Sequence, residues 1–244
     1  MRHALLLSRR TAKEILRDPL TLFFGLGFPL VILGLLSAIQ ANVPAPLFAI
    51  EKLGPGVTVF GLSFLTLFSG MLISRDRGSA LLLRLYTTPI RPAEYILGYL
   101  LPMLPIALAQ TAVCYGVSLL LGLAWTPRIL LALLLALPAS ILFLSLGLLA
   151  GSLLSEKQVG GICGAGLTNL SAWLSGIWFD VGLVGGAFKT AANILPFSHA
   201  VELQRSVYAG AFSAAWPHLA VVSAWAVGVT VFAVWAFLAQ MRKN

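Results

Sequence analysis

The sequence contains few residues whose types and spacing could bind a nucleotide. The nearest candidate to a phosphate-binding loop is GLVGGAFKT at 182–190, but Phe188 stands where the GxxxxGK[ST] pattern needs its last glycine. Such a loop cradles phosphates with closely approaching backbone N–H groups, and a phenylalanine there prevents that approach. We therefore expect no ATP site in this chain and no directly bound cofactor.

The histidines and cysteines also predict no catalytic or metal site. His3, His199 and His218 are far apart in the sequence, and none has the spacing of a metal-ligand motif. Cys114 and Cys163 both fall inside apolar runs, where thiols usually pack as small hydrophobic groups. We expect no metal, no disulfide and no enzymatic activity.

The composition is typical of a membrane protein. Hydrophobic residues make up 59% of the chain and charged residues only 10%, against about 25% charged residues in soluble domains. The net charge of +8 suits loops that face anionic lipid. Because basic and aromatic residues are not interleaved on a polar surface, we expect contact with membrane lipid and no nucleic acid.

Six apolar segments are long enough to cross a hydrocarbon layer of about 30 Å as helices. We predict an all-α protein whose residues 20–244 form one transmembrane domain. Twelve Lys and Arg residues lie on one side of these spans and four on the other, which places both termini in the cytoplasm and the chain in the cytoplasmic (inner) membrane. The predicted spans are Leu20–Ile39, Val57–Ser74, Ile96–Leu123, Ile129–Leu154, Val159–Phe179 and Trp216–Ala239.

Residues 1–19, ahead of the first span, predict an amphipathic helix in the cytoplasmic membrane interface. Its role is either a simple topogenic anchor or also contact with a cytoplasmic partner. The predicted apolar side holds Ala4, Leu5, Ala12, Ile15 and Leu16, with Leu6 and Leu7 as exceptions, and the basic side includes Arg9, Arg10, Lys13 and Arg17.

The cytoplasmic loop at 75–94 reads RDRGSALLLRLYTTPIRPAE. Five of the six residues at 81–86 are large and apolar, and a loop in water would leave them exposed. They need a cover, either lipid headgroups or a partner protein. We favour a partner protein because the flanking arginines supply the charge that a docking site uses.

The outer segment 180–215 predicts a short re-entrant or interfacial helical hairpin between spans five and six. Pro196 separates its two halves. In the second half Glu202 and Arg205 are neighbours at the i,i+3 spacing. One face of that half should be apolar, with Ala200, Leu203, Val207 and Ala211.

The predicted spans contain no Asp, Glu, Lys or Arg. Carriers driven by an ion gradient usually need such groups near the middle of the membrane. The neutral polar residues in the spans could instead line a path for an amphipathic substrate, and the energy would have to come from another subunit. The candidate path residues are Gln110, Thr111, Asn169 and Ser171.

Three stretches of the chain resemble the membrane subunit of a type-2 ATP-binding-cassette exporter, of the drug-efflux kind. They are RDPLTLFFGLGFPLVIL after the basic helix, SRDRGSALLLRLYTTPIRPAEYILGYLLP around the loop, and LPFSHAVELQRSVYAG before the last span. The resemblance implies a permease subunit that pairs with a second copy of itself or a homologous permease. It also implies a separate cytoplasmic ATPase subunit that binds the ATP.

The resemblance implies that the cytoplasmic loop docks onto that ATPase and forms a coupling helix. The family often has Glu-Arg-Glu before the glycine, whereas this chain has Arg75-Asp76-Arg77. The loop residues implied in docking are Arg75, Asp76, Arg77, Gly78, Leu82, Leu83, Arg84, Leu85, Tyr86, Thr87, Thr88 and Pro89.

Two alternatives to efflux of an amphipathic or lipid-like molecule stay open at this point. A subunit that exports a lipid-linked polysaccharide shares this layout of spans. A membrane scaffold or assembly factor without transport activity is the alternative from another class. A polar cavity between the helices would count against the scaffold.

Overall fold

The computed structural model describes residues 2–78 and 92–241, and these residues form helices joined by short turns. The prediction of an all-helical protein is confirmed for this part of the chain. The first half consists of α1 (Arg2–Leu16), α2 (Pro19–Leu22), the π-helical segment π1 (Phe23–Gly27), α3 (Phe28–Asn42), α4 (Ile50–Arg77) and α5 (Pro92–Leu120). The second half consists of α6 (Arg128–Leu135), α7 (Leu137–Leu153), α8 (Glu156–Val159), π2 (Gly160–Leu167), α9 (Thr168–Leu174), α10 (Val181–Val184), α11 (Gly186–Ile194), α12 (Pro196–Ala209) and α13 (Phe212–Met241).

Five helical stretches among the described residues are long and apolar enough to cross a membrane, and they coincide with five of the six predicted spans. The predicted span Val159–Phe179 is not among them. Residues 159–174 of that segment lie in an unbroken helical run from α8 through π2 to α9, which begins at a capping box formed by Ser155 and Gln158, and residues 175–179 form turns after it. The five stretches are Phe23–Asn42, Ile50–Arg77, Glu94–Leu120, Arg128–Leu153 and Phe212–Gln240.

Helix α4 is the most buried of the five spans, and α5, α7, α12 and π2 all pack against it. Its close crossing with α7 depends on small residues. A Cβ on Gly151 would lie only 2.4 Å from the backbone oxygen of Gly70, so no larger residue fits without moving the helices apart. Thr66 completes this contact by donating a 2.9 Å hydrogen bond from its Oγ1 to the backbone oxygen of Phe143.

Helix α1 packs along α5 with a face that shares Ala4 and Ile15 with the predicted apolar side. Leu7, an exception to the predicted pattern, is buried over Gly98, whereas Leu5 and Leu16 are both 63% exposed. Leu5 and Leu16 lie on the surface of the chain, and their contact with the membrane interface stays a prediction. The groove over Gly98 accepts the side chain of Leu7. Helix α1 therefore faces α5 with Leu7 and with the residues four and eight positions after it. The buried stripe holds Ala4, Leu7, Thr11 and Ile15.

The outer segment forms α10, α11 and α12, and Pro196 begins α12 as the sequence predicts. Ala200, Leu203 and Val207 are fully buried on one face, but Ala211 lies beyond the end of α12 and is exposed. The guanidinium of Arg205 bonds Glu202 at 2.8 Å, the backbone oxygen of Lys52 at 3.1 Å and that of Gly176 at 3.3 Å. This side chain thus ties α12 to the first turn of α4 and to the turn after α9.

Candidate functional site

A buried carboxylate lies at the end of α4, shortly before residues 79–91. Asp76 is only 3% exposed, and aspartate is almost never buried this far without a charged partner. The partner is Arg10 of α1, whose two terminal nitrogens donate to the two carboxylate oxygens at 2.8 and 3.0 Å. This bidentate geometry is the strongest form of an Arg–carboxylate pair.

Two tyrosines of α5 complete the site around this carboxylate. The hydroxyl of Tyr99 donates a short hydrogen bond to Asp76 Oδ2, and the Tyr95 and Tyr99 hydroxyls lie 3.0 Å apart. Their i,i+4 spacing places both rings on one face of α5. Tyr95 also stacks on Phe237 of α13, with ring centroids 4.4 Å apart. We call Arg10, Asp76, Tyr95 and Tyr99 the stem cluster.

The stem cluster joins α1 to the chain on both sides of residues 79–91. Asp76 precedes residues 79–91 in the chain, and Tyr95 and Tyr99 follow them. The hydrogen bond to Asp76 and the charges of Asp76 and Glu14 raise the pKa of Arg10 above its usual value, although burial opposes them. Arg10 is therefore cationic at every relevant pH, and α1 cannot leave the loop without breaking a charged pair.

The two arginines that flank Asp76 also make contacts within the chain. Arg75 pairs with Glu156 at the start of α8, with an N–O distance of 3.1 Å. Arg77 donates to the backbone oxygens of Ser152 and Leu154 and so caps the end of α7. The base of the loop is thus fixed to α1, α5, α7 and α8.

These contacts bear on the predicted docking residues. The structure places Arg75, Asp76, Arg77 and Gly78 at the end of α4, where the three charged side chains bond within the chain. Their docking role stays a prediction. The other docking residues, Leu82, Leu83, Arg84, Leu85, Tyr86, Thr87, Thr88 and Pro89, lie outside the described residues.

The predicted basic face of α1 divides into two parts. Arg10 points inward to Asp76, whereas Arg9, Lys13 and Arg17 are exposed. Together with Leu6, Arg10 and Glu14, these residues border an open cleft of about 740 Å³, in which four basic groups outnumber one carboxylate. A basic cleft of this kind suits an acidic surface, whether lipid phosphate or the carboxylates of a partner protein.

The four predicted path residues do not form one site in the single chain. Gln110 and Thr111 are fully buried in α5, where Gln110 Nε2 donates to the backbone oxygen of Thr58 at 3.3 Å. Ser171 is buried and bonds within its own helix, and Asn169 is exposed and does the same. Among the described residues, Gln110 Oε1 has no hydrogen-bond partner although it is buried. The path assignment stays a prediction.

Two features of the structure were not anticipated from the sequence. The first is that Asp76 faces Arg10 inside the chain, 66 residues away. The only available signal was a lone carboxylate beside a span, followed by tyrosines at the i,i+4 spacing. The second is that His199 and His218, treated as distant, have their Nδ1 atoms 2.8 Å apart.

The stem cluster leads to a stability prediction. Replacing Asp76 by Asn leaves the half-buried Arg10 with only Glu14 of its own helix as a charged partner, and we expect the free energy of unfolding to fall by about 1–3 kcal/mol. Replacing Glu156 by Gln removes a more exposed pair with Arg75 and should lower it by less than about 1 kcal/mol. Thermal unfolding of both variants in detergent measures the difference. Equal melting temperatures for the two variants would mean that the buried pair does not hold α1.

The comparisons with known proteins agree with a membrane subunit that works with a separate ATPase. The family model described as ABC-2 type transporter matches residues 2–209, which includes α1, the stem cluster and α12. A search of curated proteins found no match to the chain. Because the family match covers most of the sequence, the chain belongs to the ABC-2 type transporter family, as the membrane-spanning permease component of an ABC transporter and not its ATPase.

Proposed function

We propose that the chain is the permease of an ATP-driven exporter that moves an amphipathic or lipid-like molecule out of the cytoplasm. Two permease subunits would pair in the cytoplasmic membrane, each with an ATPase subunit docked beneath it. The observation that carries the proposal is the stem cluster, which fixes α1 and both ends of the loop to each other. A displacement of the loop or of α1 would then be transmitted to α4 and α5 together.

The loop itself supplies the docking surface in this proposal. Its apolar residues between 81 and 86 need a cover, and the exposed basic cleft on α1 lies beside the base of the loop. An ATPase surface with an apolar pocket rimmed by carboxylates would fit both features. Arg75, Asp76 and Arg77 would position the loop from within, and Leu83, Leu85 and Tyr86 would enter the ATPase.

We also propose a sixth span, formed by α8, π2 and α9, which would put both termini in the cytoplasm. Glu156 at its start pairs with Arg75 at the loop end of α4. Gly176, just after its end, bonds Arg205, which also bonds Lys52 at the other end of α4. The run 156–174 therefore extends along α4 from end to end, and its 19 residues correspond to about 28 Å of helix. Segments α10 to α12 would then lie on the outer side as the re-entrant hairpin.

The six-span topology predicts which positions can be labelled from outside the cell. In a background with both native cysteines replaced by alanine, Lys189→Cys should react with a membrane-impermeant maleimide on intact cells. Lys157→Cys should react only after the membrane is permeabilised, because it lies at the cytoplasmic end of the proposed sixth span. The reverse pattern, or labelling of both positions from outside, would exclude this topology.

If the loop is the docking surface, acidic replacements of its leucines should prevent binding of the ATPase subunit. We expect Leu83→Asp and Leu85→Asp to abolish co-purification of the ATPase subunit and ATP-dependent export, since a carboxylate in the apolar pocket would be desolvated without a partner. The matched control is Leu183→Asp, an exposed leucine at the far end of the molecule. It should retain the ATPase. Survival of docking in both loop variants would refute the assignment.

A further inference from the structure

An outer cleft of about 750 Å³ lies at the end of the molecule opposite the stem cluster. It is bordered by the first turn of α4 and by α10, α11, α12 and the first turns of α13. Three cationic and three acidic side chains line it, so their charges balance. They are Lys52, Lys189 and Arg205, and Glu51, Asp180 and Glu202.

Two histidines from different helices meet in this cleft. His199 lies on α12 and His218 on α13, and their Nδ1 atoms are 2.8 Å apart. Nitrogens that share a tetrahedral zinc ion, each about 2.0–2.1 Å from the metal, lie about 3.3 Å apart. A shift of about half an ångström would therefore let both nitrogens bind one ion.

The second ring nitrogen of His199 is oriented as in metal-binding histidines. Its Nε2 lies 2.9 Å from the backbone oxygen of Asn193. A carbonyl oxygen only accepts, so Nε2 carries the proton and the neutral ring has its lone pair on Nδ1, facing His218. Metal-ligating histidines almost always donate their other N–H to a carbonyl or carboxylate in this way.

We propose that His199 and His218 form a binding site for a transition-metal ion of the zinc type in the outer cleft. The ion would replace the hydrogen bond between the two rings, and the proton on His218 Nδ1 would move to Nε2 of the same ring, so that both histidines bind as neutral imidazoles. Among the described residues no group of three His, Cys, Asp or Glu side chains is arranged to hold a metal. Water in the cleft would therefore complete the coordination, and the site would be open and reversible.

Glu202 lies one turn after His199 on α12 and borders the same cleft. Its Oε1 is held by Arg205 at 2.8 Å, and so we do not count it as a ligand. The ion would instead link α12 to α13 through the two imidazoles alone. This proposal rests on the geometry of the outer cleft and not on the identity of the ATPase or the transported molecule.

The test is zinc binding by the purified full-length chain without a histidine tag, measured by competition with a chromophoric chelator at neutral pH. We expect one zinc ion per chain and an affinity at least about tenfold lower in His199→Gln and in His218→Gln. These replacements keep a polar side chain, and unchanged melting temperatures would show that both variants fold. His3→Gln, which changes the remaining histidine of the chain, is the matched control and should bind as the unmodified protein does.

A second readout is the proton balance of binding. Calorimetry at neutral pH in buffers of different ionisation enthalpy should show little net proton release, because both imidazoles bind as neutral ligands. Two results would overturn the proposal. One is the absence of zinc binding, and the other is zinc binding of equal strength in the His199→Gln/His218→Gln double variant.

Discussion

The ion pair between Arg10 and Asp76 determines where the N-terminal helix lies. A carboxylate buried at the end of a membrane helix is strongly unfavourable unless a charged group satisfies it. Asp76 meets this requirement with the guanidinium of Arg10 and the hydroxyl of Tyr99. Helix α1 is therefore held against α4 and α5 by a charge requirement as well as by the apolar contact of Leu7 over Gly98. The position of α1 then sets the exposed basic cleft beside the loop.

Helix α4 is held by an arginine from outside the spans at each of its ends. At its C-terminal end Arg10 of α1 binds Asp76, and at its N-terminal end Arg205 of α12 binds the backbone oxygen of Lys52. Between these points the helix is packed tightly against α7 through Gly70 and Gly151. A continuous helix that connects the two ends is suited to carry a displacement from residues 79–91 to α10, α11 and α12. In the proposed exporter this would be the mechanical connection between ATP hydrolysis and opening of the path.

Much of the fold could be predicted from the sequence, because long apolar segments specify helices on their own. Five spans, the buried face of α12 and the i,i+3 pair of Glu202 with Arg205 follow from such local patterns. The burial of Leu7 did not, because the groove over Gly98 that accepts it is a tertiary feature.

The candidate site was less predictable, because it depends on contacts between distant parts of the chain. The charged run 75–77 was taken as a surface for a partner, since its intramolecular partners Arg10, Glu156 and the end of α7 are far away in sequence. The two histidines were missed for the same reason, because the turn between α12 and α13 alone brings them together. Spacing along the chain reveals sites on one helix but not sites between two.

Helix α1, the end of α4 and the start of α5 are expected to move together, because the stem cluster joins them. This expectation is tested most directly by electron-spin distance measurements between labels on Lys13→Cys of α1 and Leu97→Cys of α5, in the complex with its ATPase. We predict one narrow distance distribution that is the same without nucleotide and with bound ATP, and a broad distribution when Asp76 is changed to Asn. A distance that shifts on ATP binding while Asp76 is intact would contradict the account.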